Sequence, residues 1–174
     1  MTTSTFAARL RTAVTVGTIL AATVLLSGCS ALDSIIASDP ERDPETQEVS
    51  EAGTADVFSL RVGDCYNDEG SSDEEISSVP AVPCSEPHDN EAYFSFDIAD
   101  GDFPGDDSIL ASADEGCLTA FEPFVGFGYA ESVLDFGYIF PTEASWADGD
   151  REILCTIYAA DLSQVTGTLA GAAR

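Results

Sequence analysis

Four cysteines in the body of the chain, Cys65, Cys84, Cys117 and Cys155, constrain its folding more than any other feature. An even set in an oxidising compartment reads as a pair of disulfides. Three connectivities are possible. The favoured one joins Cys65 to Cys84 and Cys117 to Cys155, because each pair then brackets one structural unit. In the loop-entropy account each bond contributes about 3–4 kcal/mol. A four-cysteine zinc site would need C-x-x-C spacing, and none is present. The compartment is read from the N-terminus. Arg9 and Arg11 precede an apolar run from Ala13 to Leu26, and small residues follow, so residues 1–28 have the pattern of a secretory signal.

The fifth cysteine, Cys29, directly follows Leu26-Ser27-Gly28. This junction resembles the lipobox of bacterial lipoproteins. The resemblance implies that the Cys29 thiol carries a diacylglycerol and that the signal is cut before it. The apolar run is short for a membrane span, which needs about 20 residues. Two or more acyl chains anchor a protein stably without one. The expected location is therefore the outer face of the cell membrane, with the lipid at Cys29 as the membrane contact.

Charge narrows the partners. Residues 1–28 hold two of the six basic residues and none of the 32 acids, so the mature chain has a formal charge of 4 − 32 = −28. Such a surface repels nucleic acid and anionic head groups. It could attract divalent cations such as calcium. The acid-rich stretch Asp64–Glu75, DCYNDEGSSDEE, lacks the spacing of a calcium loop, however.

After Cys29, the stretch to residue 56 is rich in acids and poor in large apolar residues, so 29–56 is expected to be a disordered tether. A single domain is expected over 57–174. Alternation predicts strands near 57–62, 79–84, 91–98, 134–140 and 153–159. In the third, Ala92, Phe94, Phe96 and Ile98 are expected on one buried face and Glu91, Tyr93, Ser95 and Asp97 on a wet one. FPGDDS should open a helix capped by Asp106, Asp107 and Ser108. Its apolar stripe is Ile109, Ala113, Cys117, Phe121 and Phe124, and Gly126 and Gly128 end it. The last dozen residues read as an edge strand or a loose tail. The fold class is α+β: about five antiparallel strands packed on one main helix, with two disulfides.

The stretch Val82–Phe94, VPCSEPHDNEAYF, holds the chain's one histidine, His88, four residues after Cys84. A Cys–His nucleophile pair would need a free thiol, which the even count argues against, and no G-x-S-x-G occurs. The reading is a structural corner, with Pro87 turning the chain, Asp89 or Asn90 bonding backbone, and the His88 ring fixing it by hydrogen bonds. Arg151 is expected to make an ion pair at its turn, or else to grip a carboxylate or phosphate on a partner. Trp146 is expected in the core, or else at a contact surface.

VGDCYND, VPCSEPHDNEAYF, FPG, a helical cysteine followed by FEPFVG, and PTEASWADGDREILC together resemble the septum-formation domain of exported and membrane-anchored proteins of high-GC Gram-positive bacteria. The match rests on Gly63, Asp64, Cys65, Val82, Cys84, Pro87, His88, Glu91, Phe103, Pro104, Gly105, Cys117, Phe121, Pro141, Trp146, Gly149, Asp150, Arg151 and Cys155, over about 62–160. Ala92 departs from the β-branched residue common there. The resemblance implies a link to cell division and septum placement and brings no catalytic residue or cofactor with it. The expected function is a lipid-anchored binding or scaffold module that meets an envelope or division protein. A small-ligand or cation binder is the alternative, and an envelope enzyme a weaker one.

Overall fold

A computed structural model describes residues 38–68 and 76–174. The strands are β1 (Glu41–Arg42), β2 (Val49–Glu51), β3 (Gly53–Asp56), β4 (Cys65–Tyr66), β5 (Ser78–Val82), β6 (Asn90–Asp97), β7 (Leu134–Ile139) and β8 (Glu152–Ala159). The helices are α1 (Asp106–Val125) and the short α2 (Glu143–Ala147). β1 and β2 pair alone, and the other six form one curled sheet in the order β3-β5-β4-β6-β8-β7. Every described pairing is antiparallel. Both expected disulfides are present, Cys65–Cys84 and Cys117–Cys155.

The helix forms where its sequence period demands. Ile109, Ala113, Cys117, Phe121 and Val125 are buried at strict four-residue intervals. Val125 ends the stripe, and Phe124 is only partly buried at its flank. The expected caps are corrected in detail. Gly105 is the N-cap and no side chain caps the end; Asp106 and Asp107 instead sit in the first turn, where their charge meets the positive end of the helix. Gly126 closes α1 with φ 76°, a left-handed conformation that favours glycine.

The sheet has a core on each face. On the helix side, Ile109, Cys117 and Phe121 pack with Tyr93, Trp146, Ile153, Cys155 and Ile157. On the other side, Val49, Ala55, Val57, Leu60, Tyr66 and Val79 pack with Ala92 and Leu154. The expected single wet face is thus replaced by a second core, which the N-terminal strands supply. The alternation expected along β6 fails at a bulge between Ala92 and Phe94. An extra residue flips all side chains after it. Ala92 joins one core while Tyr93, Phe96 and Ile98 join the other.

Three further expectations are corrected. Residues 57–62 form no strand; Val57–Ser59 is a 3-10 turn capped by the Asp56 side chain. The part of the tether within the described residues is ordered: β3 pairs along its length with β5. Asp64 holds the β1–β2 hairpin down, accepting from both Arg42 guanidinium nitrogens at 2.6 and 2.7 Å and from Arg61 N–H at 2.9 Å. Asp64 is 2% exposed, and its hydrogen bond pushes the Arg42 guanidinium above its usual pKa. Polar pairing orders a stretch that composition alone could not. The C-terminal residues are docked as well. His88 and Val165 exchange backbone hydrogen bonds of 2.9 Å, and Gly171 and Ala173 donate to Phe124 and Val125 carbonyls. The signal expected at residues 1–28 and the lipid expected at Cys29 lie outside the described residues, as do residues 69–75 of the acid-rich stretch Asp64–Glu75.

Candidate functional site

The His88 corner is built as a fastening. His88 is fully buried, and its Nδ1 lies 2.8 Å from the Glu86 carbonyl, so Nδ1 carries the proton. Nε2 is buried with no partner among the described residues. Asp89 and Asn90 reach across to the segment after β4: Asp89 accepts from Asp68 N–H at 3.0 Å, and Asn90 donates to Asp68 at 2.8 Å. Glu91, 2% exposed, accepts from Thr168 hydroxyl at 2.5 Å and Leu169 N–H at 2.6 Å. Glu91 lies close to both Cys65 and Cys84 sulfurs, a grouping with the shape of a metal site. Both sulfurs are spent in the disulfide and offer no thiolate. Asp64 is likewise spent on Arg42.

His88→Ala is expected to lower stability by about 2–3 kcal/mol, since it removes a buried bond and leaves a cavity. His88→Asn keeps a donor near the Nδ1 position and should lose less. Urea unfolding at the parental midpoint for both variants would show that the ring does not hold the corner.

Trp146 and Arg151 are brought together and face inward. Trp146 is buried, donates from Nε1 to Gly101 O at 3.1 Å and meets Phe103 edge-on. The Arg151 guanidinium lies 3.8 Å over the Trp146 ring. It also bonds the Trp146 and Asp150 carbonyls and the Asp100 carboxylate. The cation stacks on the ring and satisfies the turn, so both residues serve the fold.

The surface that remains open lies elsewhere. An open groove of about 810 Å³ runs between β6 and α1. Tyr93, Phe94, Phe96 and Phe124 give it aromatic walls, and Ser112, Gly116 and Ala120 keep the helix side low. The β6 bulge places Phe94 here, 38% exposed and stacked on Phe96 at 5.8 Å. At the groove floor Tyr93 donates to Cys117 O at 2.6 Å, and burial holds its phenol well above its ordinary pKa.

Gly116 is where the Phe96 ring comes up against α1. A Cβ there would come within 2.4 Å of the Phe96 ring. Helix propensity alone would favour alanine by about 1 kcal/mol. Gly116→Ala is nevertheless expected to destabilise by about 1–2 kcal/mol, because Phe96 must leave its place. A higher melting temperature would contradict this. A glycine within a helical period was the available signal for a close approach. The bulge leaves no comparable mark in the sequence, so alternation buries Phe94, which the structure exposes.

A family model described as septum formation matches residues 62–174. No curated protein and no solved structure matches.

Proposed function

Since the chain belongs to the septum formation family, whose description points to a role related to septum formation, we propose that it is a binding module of the bacterial cell envelope. In this reading Cys29 carries the lipid that holds it on the outer face of the membrane. The groove between β6 and α1 meets an envelope or division protein. The observation that carries the binding reading is the exposed Phe94 ring, stacked on the half-buried Phe96 beside a helix lowered by Gly116. Aromatic side chains anchor many protein contacts. The two formed disulfides suit an oxidising compartment. No catalytic step belongs to this reading: the imidazole is buried and the nearby sulfurs are oxidised.

A photo-crosslinking amino acid at position 94, introduced in the full chain in growing cells with its location imaged, tests this. An adduct with another protein, enriched at division sites and lost to the soluble fraction with Cys29→Ala, is expected. Uniform membrane staining with no adduct from position 94 would overturn it.

A further inference from the structure

Beside the groove, β6 is half unpaired. β4 covers only Glu91 and Asn90, through Cys65 and Tyr66, and the adjoining turn bonds Ala92. Among the described residues, no strand pairs with the rest of β6 on the side away from β8. The direction of its backbone follows from register. Ile98 N–H donates to Arg151 O on the β8 side. Antiparallel alternation then turns Phe96 toward β8 and leaves Ser95 and Asp97 with outward N–H and C=O groups. These stand next to the Phe94 and Phe96 rings. An open ladder and a side-chain groove on the same strand, flanked by a helix, are the two parts of strand-addition binding.

Charge selects the occupant. Glu115 lines the groove, Asp97 is exposed on the open strand, and Glu122 stands at the adjoining hollow along α1. Among the described residues, no basic one lines either. A second copy, with its own large negative charge, is repelled from this edge; acidic residues are a common guard against such pairing. The same acids attract lysine or arginine.

We propose that the Ser95–Asp97 edge accepts an extended, cation-bearing segment of a partner protein as an added strand, seating one apolar side chain against Phe94 and Phe96. This rests on the binding reading above and names the chemistry of its partner.

The test uses the full chain in detergent and a synthetic peptide that alternates lysine with valine around a central phenylalanine. Two isomers are compared, N-methylated on one or the other alternate set of backbone nitrogens. They share charge and composition. One isomer is expected to bind like the parent peptide and the other at least about tenfold more weakly, since only one set faces β6. Phe94→Ala should weaken the parent peptide by a similar factor. Equal binding of both isomers overturns the proposal, because it leaves only non-directional charge attraction. Crosslinks from position 94 into a second copy or into the chain's own residues also overturn it. If the cellular adduct of the previous section forms but the isomers do not differ, strand addition falls while the binding reading stands.

Discussion

Replacing Cys117 and Cys155 together with alanine is expected to lower stability by about 5 kcal/mol. The bond closes a 38-residue separation, which the loop-entropy relation values at about 4 kcal/mol. Both cysteines are fully buried in the helix-side core, so loss of two sulfurs adds a cavity cost of about 1 kcal/mol or more. Typical domains have about 5–15 kcal/mol in all. The variant should therefore be partly unfolded or close to it. Removing Cys65 and Cys84 in the same way should cost less, about 3 kcal/mol. That loop spans 19 residues and Cys84 is only half-buried. Urea unfolding of the two double variants beside the oxidised parent gives the order directly. A larger loss for the Cys65–Cys84 pair would show that the bond from α1 to β8 is not the main covalent restraint.

Arg42→Met is expected to cost about 3–5 kcal/mol, as much as many core truncations. It leaves the Asp64 carboxylate in a site 2% exposed, with only the Arg61 N–H among its present donors. Removing one partner of a buried pair strands a charge, whereas removing both does not. Adding Asp64→Asn should thus recover part of the loss. The double-mutant cycle should show a coupling of about 2 kcal/mol or more. Salt should weaken the coupling only in part, because Asp64 is buried while Arg42 is half-buried. A single-variant loss below about 1 kcal/mol would mean that the β1–β2 hairpin is not fastened through Asp64.

Features carried by a regular period were legible in the sequence. The α1 stripe ended one residue from its expected place, and β7 and β8 followed from alternation. The cysteine pairing followed from which elements each pair brackets. Arrangements held by individual polar contacts were not legible. Residues 38–56 look too acidic to order, yet one arginine placed against a buried aspartate orders the hairpin, and β3 completes a sheet edge. The last residues look too small to pack, yet Glu91 and backbone bonds hold them. Of the candidate residues, the His88 ring bonds the Glu86 carbonyl, Trp146 bonds Gly101, and Arg151 stacks on Trp146, so all three are engaged within the fold. The groove was missed because one inserted residue at the β6 bulge inverts the meaning of every later alternation.

The position of β8 sets when this fold can exist. Although it comes last in order among the described strands, it lies between β6 and β7 and pairs with both. As the polypeptide emerges from N- to C-terminus, β7 has no strand to pair with until β8 arrives, and Cys117 has no partner until Cys155 does. The Cys65–Cys84 unit can close early, but the larger half must wait for β8. Such non-local pairing is slow, and the interval exposes the apolar face of α1. A chaperone or thiol oxidase acting on the folding chain would find its target in that interval, on the chain before Glu152.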